Sequence, residues 1–150
     1  MTVIAWDGCT LAADTALTSS CSSIIATVCK IECIDDNSWL AVAGSPEGLN
    51  MVSSWIRDGM PEKDKGHTEC EWLFIRNGIA MIGSNFNLEY AGVPAPIVMG
   101  TGRSAALACM LAGKRADEAV RIACQVNGYC RMPMDVVDTK AEKPEIRRVA

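Results

Sequence analysis

The stretch Thr2-Val3-Ile4-Ala5-Trp6-Asp7-Gly8-Cys9-Thr10-Leu11-Ala12-Ala13-Asp14 decides the fold. Two apolar runs of strand length flank Asp7-Gly8, a dipeptide that readily takes the positive φ angles of a two-residue turn, so the chain begins as a tight β-hairpin. The same logic recurs twice. Lys30 to Ile34 and Trp39 to Ala43 flank a turn at Asp35-Asp36-Asn37-Ser38, and Glu71 to Arg76 and Ile79 to Gly83 flank Asn77-Gly78. Between these two hairpins Gly44-Ser45-Pro46 opens a helix, with Ser45 as N-cap and Pro46 in the first turn. Leu49, Val52 and Ile56 share one face of that helix, which ends near Gly59.

Strand-like residues continue to about Tyr90, and Pro96-Ile97-Val98-Met99 reads as a short buried strand. Gly100-Thr101-Gly102-Arg103 leads into a helix over 104–112. A second helix from Asp117 places Ala119, Ile122, Ala123 and Val126 on one face and Glu118, Arg121 and Gln125 on the other. Pro133 to Val137 and Glu145 to Val149 close as strands. Residues 15–28, rich in Thr, Ser and small side chains, carry no clear element. Antiparallel hairpins with segregated helices predict an α+β layered fold.

At 150 residues the chain is the size of one domain, 1–150, able to bury roughly 70% of its unfolded surface. Hydrophobic residues make up 49% and charged ones 21%, with mean hydropathy +0.14, a globular composition. Fourteen cations against eighteen anions leave a net charge of −4 without a basic stripe, which argues against nucleic acid as a partner. No basic segment precedes an apolar core at the N-terminus, and no apolar helical stretch reaches bilayer length, so neither a signal peptide nor a membrane partner is expected. Several of the eight cysteines, Cys109 and Cys124 among them, fall in apolar helical patterns and read as reduced thiols of a cytoplasmic protein. Zinc could draw only on Cys29, Cys33, His67 and Cys70. Residues four apart in a strand are separated by about 13 Å, too far for one tetrahedral ion, and neither metal nor cofactor is expected.

The single histidine, His67, sits in a charged loop, so histidine-dependent catalysis has little to draw on. Thr2 offers another route. Methionine aminopeptidases remove Met1 before a small residue, which would leave a threonine carrying both a hydroxyl nucleophile and an α-amine base. The α-amine reference pKa of about 7.7 to 8.0 lets a nearby cation keep that base partly neutral.

The order Thr2-Val3-Ile4-Ala5, Asp7-Gly8, Leu11-Ala12-Ala13-Asp14, Lys30 sixteen residues later, Ala43-Gly44-Ser45, Ile97-Val98-Met99-Gly100-Thr101-Gly102 and Asp135-Val136-Val137 resembles the proteasome β-subunit and HslV branch of the N-terminal nucleophile (Ntn) hydrolases. That resemblance implies a four-layer α-β-β-α sandwich and a threonine peptidase acting through an acyl-enzyme on Thr2. It implies that Lys30 lowers the pKa of the amine and hydroxyl, that Asp14 pairs with Lys30, that Gly44 donates its N–H to the oxyanion, and that Thr101 orients the amine. The helix opened by Ser45 would add its dipole to the Gly44 amide. A peptide or unfolded protein substrate would add as a strand between the stretch around Thr18 and the Gly44–Ser45–Pro46–Glu47 turn. Leu17, Val28, Val42 and Pro46 would shape an apolar specificity pocket, whereas Glu32, if it faced that pocket, would favour a basic residue. A homo-oligomeric ring, served by a separate ATPase unfoldase, is the matching assembly.

This sequence departs from the pattern in two places. The charged loop from Met60 to Cys70 replaces a second long helix, trimming one layer as in short phage- and bacterium-encoded relatives of the branch. Asn127, Cys130 and Arg131 stand where the family has acidic or hydroxyl residues and a glycine. A non-catalytic ring or scaffold subunit, and an Ntn amidohydrolase of small amides, are therefore the competing expectations.

Overall fold

The computed structural model describes residues 2–19, 21, 23–62 and 69–150. In chain order the elements are β1 (Ile4–Trp6), β2 (Thr10–Asp14), β3 (Ala16–Thr18), β4 (Ile24–Thr27), β5 (Ile31–Asp35), β6 (Ser38–Gly44), α1 (Gly48–Arg57), β7 (Cys70–Arg76), β8 (Ile79–Ser84), β9 (Asn87–Ala91), β10 (Ile97–Met99), α2 (Arg103–Leu111), α3 (Ala116–Val126), β11 (Met134–Asp138) and β12 (Arg147–Val149). One sheet runs β10-β1-β2-β11-β12 and a second β5-β6-β7-β8-β9, with β3-β4 as a separate ladder. Every pairing is antiparallel.

Side-chain alternation builds the layers. Ile4 and Trp6 of β1, Leu11 and Ala13 of β2, Trp39 and Ala41 of β6 and Leu73 and Ile75 of β7 meet in a core between the two sheets. Val3, Ala5 and Ala12 point the other way, against Ala106, Ala119, Val120 and Ala123 of the α2–α3 pair. Leu40, Val42, Trp72 and Phe74 cover the outer face of the second sheet and pack on Val52, Trp55 and Ile56 of α1. Burial on both faces is why these strands read as continuous apolar runs instead of alternating ones. The result is an α-β-β-α sandwich whose second sheet carries one described helix, α1, where the first carries two. Most of the Met60–Cys70 connection, His67 included, lies outside the described residues.

Local chemistry sets the boundaries, and several differ from expectation. The β1–β2 register pairs Trp6 with Leu11, and the Asp7 N–H reaches the Thr10 carbonyl at 3.2 Å, so Gly8-Cys9 is the central turn pair, not Asp7-Gly8. Gly8 supplies the positive φ, +99°, while one Asp7 carboxyl oxygen accepts the Cys9 and Thr10 N–H groups. The other accepts the Ala116 N–H at 2.9 Å, tying the hairpin to the start of α3. Asn77 and Gly78 both have positive φ, as the third hairpin required.

Ser45 is not the N-cap of α1: Ser45 to Gly48 form a turn, with the Gly48 N–H on the Ser45 carbonyl at 3.0 Å, and the helix starts at Gly48. Its end matches a Schellman motif, the Met60 N–H reaching the Trp55 carbonyl and the Gly59 N–H that of Ile56. Val126, expected on the buried face of α3, is exposed, and Ala116, Ala119, Val120 and Ala123 form that face. The β3–β4 ladder arises in the stretch that carried no clear element.

Trp72 is fully buried and meets Trp55 edge-on with ring centroids 5.9 Å apart. Trp72→Ala should cost about 3–5 kcal/mol of stability. Urea unfolding monitored by circular dichroism reads this; a loss below about 1 kcal/mol would mean that α1 does not depend on this contact.

Candidate active site

The first hairpin carries Asp14 to the start of β1, where the Val3 N–H donates to its Oδ1 at 2.9 Å. Asp14 is fully buried and also accepts the Ala16 N–H at 3.2 Å and the Arg131 N–H at 3.3 Å, both on Oδ2. The Lys30 ammonium, itself 7% exposed, completes the set at 2.9 Å from Oδ1. Lys30 comes from the chain entering β5, so this ion pair joins the edge of one sheet to the other. A buried carboxylate with three N–H donors and a cation is a satisfied one.

Thr2 lies one residue before Val3 and is 3% exposed. Its backbone nitrogen donates to Thr101 Oγ1 at 3.2 Å, and its carbonyl accepts the Gly102 N–H at 3.1 Å. The Gly100–Gly102 turn can approach this closely because Gly100 has φ +84° and no side chain; a Cβ there would overlap the Thr2 carbonyl.

Gly44 ends β6 with φ +124°, and a Cβ there would overlap the Glu69 carbonyl and Cys70 Cα. The Asn77 N–H bonds the Asn37 carbonyl, and counting in twos along the unbroken β6–β7 register makes Gly44 and Cys70 a non-hydrogen-bonded pair. The Gly44 N–H therefore points to the β5 side, as does that of Val42, which donates to the Lys30 carbonyl at 3.0 Å. Two residues on, β5 no longer runs alongside. The helix dipole expected behind this amide is displaced, since α1 begins four residues later and its field fades within a turn.

Thr2, Lys30 and Gly44 share the walls of one cleft of ≈ 120 Å³. Leu17, Thr18, Val28, Val42, Ser45 and Pro46 line the same cleft, and so do Ala16, Cys29 and Leu49, which the sequence did not assign to it. Asp14 stands behind Lys30 and Thr101 on the far side of Thr2. Glu32 does not face the cleft. It turns to α1, accepting from the Ser53 hydroxyl and lying 3.6 Å from Arg57, so the acidic contribution to the pocket is absent.

Among solved structures, eukaryotic HslV from Trypanosoma brucei superposes with a TM-score of 0.69 at 17% identity, over 90% of this chain and 96% of that one. Thiobacillus denitrificans BPH, solved in complex with epoxomicin, gives 0.64 at 15% identity, over 94% of this chain and 100% of its own. This chain has the proteasome β/HslV-like Ntn-hydrolase fold. No protein-family model matches the sequence, and no curated protein matches it.

Within this Ntn fold the three departing residues gather behind Thr2. Asn127 Nδ2 donates to the Thr101 carbonyl at 3.1 Å, and Cys130 Sγ lies 3.9 Å from Thr101 Oγ1. Among the described residues Arg131 makes its contact through the backbone N–H, to Asp14. Burial, with the Asp14 charge next, pushes the Cys130 thiol up to about 11, and the same two causes push Cys124 to about 12. Both stay protonated at neutral pH and are poor nucleophiles. Cys29 and Cys33 each bond a carbonyl two residues on, and among the described residues no cluster suited to a metal ion occurs.

Asp14→Ala strands Lys30 and three N–H donors and should cost about 3–5 kcal/mol. Lys30→Met, which leaves the carboxylate its N–H donors, should cost clearly less in the same urea titration, and the reverse ranking would overturn this account of the pair. Between the ordinary thiol value of 9.0 and about 12 the unfolded chain has lost protons that folded Cys124 keeps, so stability should fall as pH rises above 9. The Cys124→Ala/Cys130→Ala protein should show a flatter fall between pH 8 and 10.

Proposed function

We propose that the chain, one domain over residues 1–150, is a threonine-type peptidase that hydrolyses peptide bonds through an acyl-enzyme on Thr2 after removal of Met1. The observation that carries this reading is the Thr2 main-chain nitrogen on Thr101 Oγ1, beside a buried Lys30–Asp14 pair and at the mouth of a cleft that Gly44 also lines. The free Thr2 amine takes the proton of its own hydroxyl, and Oγ attacks the scissile carbonyl. Lys30, paired with Asp14, disfavours the protonated amine by charge repulsion. The Gly44 N–H stabilises the oxyanion. As the intermediate collapses, the C–N bond breaks and the ammonium proton passes to the leaving amine. Water then attacks the ester, the amine again taking its proton; collapse breaks the C–Oγ bond, releases the acid and returns that proton to Thr2 Oγ.

An extended peptide suits the side of β3 away from its described pairing with β4, opposite the Gly44–Glu47 turn. Leu17, Val28, Val42, Pro46 and Leu49 favour an apolar residue on the acyl side. A homo-oligomeric ring acting in the cytoplasm on peptides or unfolded chains, with a separate ATPase unfoldase, is the setting that suits this fold. No helix is long and apolar enough to cross a membrane among the described residues.

Intact mass of protein made in its native host should show loss of Met1; full retention would favour a non-catalytic scaffold. Thr2→Ala should lower fluorogenic-peptide turnover by roughly 10⁴-fold or more and Lys30→Ala by at least about 100-fold. Epoxomicin should add its mass to the mature chain and not to Thr2→Ala. Activity that survives Thr2→Ala would assign the chemistry to another residue.

A further inference from the structure

A second recess, ≈ 300 Å³, opens on the other side of Thr2 from the first cleft. The two share only Thr2 and Gly44 among their lining residues. A scissile carbonyl held between the Thr2 hydroxyl and the Gly44 N–H thus has one cleft for its acyl half and the other for its leaving-group half. The two differ in charge: the second recess carries Glu69, Glu71 and Arg103, whereas the charged side chain in the wall of the first is Lys30.

Glu71 is fixed in this wall because its Oε1 accepts the Gly100 N–H at 2.8 Å. Glu69 precedes it by two residues, just ahead of β7, and Arg103 opens α2. Among the described residues no ion pair joins Arg103 to either carboxylate, so these charges do not cancel by direct contact. Two carboxylates against one guanidinium leave the recess net negative, next to the position where the leaving amine forms.

We propose that this recess receives the residue immediately after the scissile bond and selects lysine or arginine there, with Glu69 and Glu71 as the specificity-determining residues. The inference rests on the acyl-enzyme reading above. A cationic side chain would pair with the carboxylates, whereas an acidic one would be repelled and leave them unpaired. The apolar preference of the first cleft is independent of this one, so the combined substrate is an apolar residue followed by a basic one.

The test uses peptides with one apolar acyl half that differ only in having Lys, Ala or Glu after the scissile bond. Wild-type protein should cleave the Lys peptide with kcat/KM about tenfold above the Glu peptide at low salt, the gap narrowing as salt rises. Glu69→Gln/Glu71→Gln should bring that ratio to about twofold. Gln at 71 keeps an amide oxygen for the Gly100 N–H, so the change removes charge and not the tether. Glu69→Lys should invert the order. Equal kcat/KM for the Lys and Glu peptides in wild type, with cleavage lost in Thr2→Ala, would overturn the inference and leave the Thr2 reading standing. Cleavage undiminished in Thr2→Ala would defeat the Thr2 reading instead. The recess is then decided by titrating the same peptides onto Thr2→Ala: tighter binding of the Lys peptide supports it, and equal affinity overturns it.

Discussion

The Asp14 carboxylate is the constraint on which the rest of the structure depends. A fully buried charge costs several kcal/mol in desolvation unless its lone pairs are filled. Here the filling comes from four places: Val3 at the start of β1, Ala16 at the start of β3, Arg131 ahead of β11 and Lys30 ahead of β5. Among the described residues no other side chain gathers so many separate segments. Satisfying one carboxylate therefore fixes where the first strand begins, how the β3–β4 ladder leaves the sheet and how the two sheets align at this end. The position of Thr2 follows from the same set, since it is the residue before Val3.

Steric access works alongside this charge. Thr2 is buried, yet its main chain is met from one side by the Gly100–Gly102 turn and the cleft is closed from the other by Gly44. Both approaches depend on positions where a Cβ would overlap neighbouring backbone. The glycines permit a close fit that a hydrogen-bonding side chain could not reproduce, and the turns they form present backbone N–H groups towards the threonine. Carboxylate and glycines thus act on different parts of one arrangement: the first sets the position of β1, the second sets what stands around its first residue.

Much of the fold was legible because its signals are local. Asn77-Gly78 takes two positive φ angles in almost any protein, and apolar runs beside such a pair have few alternatives to a hairpin. The failures have equally local causes. Asp7 looked like a turn residue in its own right, but its side chain accepts N–H groups from both Cys9 and Thr10, which moves the turn centre forward by one. Ser45-Pro46 has helix-starting chemistry that a turn uses just as well, and the chain spends three residues on that turn before α1 begins. Val126 satisfies the helical period yet falls beyond the sheet that would have covered it. For the site, the roles of Asp14 and Lys30 came from resemblance, because nothing in the fifteen intervening residues says that the two side chains meet. Glu32 was misplaced since strand alternation turns it to α1. Glu69, Glu71 and Arg103 gave no signal, being brought to Thr2 only by the pairing of β7 with β6 and the entry into α2.

The three departures behind Thr2 bear on whether this arrangement has decayed into a scaffold. Arg131 uses only its N–H, so any residue whose backbone fits can occupy the position without loss to Asp14. Asn127 presents an amide donor to the Thr101 carbonyl at ordinary hydrogen-bond distance. Cys130, kept protonated by burial, remains a neutral group beside the Thr101 hydroxyl, as a serine would be, though a weaker partner. Losing the Lys30 cation alone would leave the buried Asp14 charge with only its N–H donors, so the pair serves the fold as well as any chemistry at Thr2. Lys30 and Asp14 are both present and joined at 2.9 Å. The three departures thus leave the Thr101 carbonyl, the Thr101 hydroxyl and Asp14 each with a polar neighbour, so the surroundings of Thr2 are altered in residue type and not in contact.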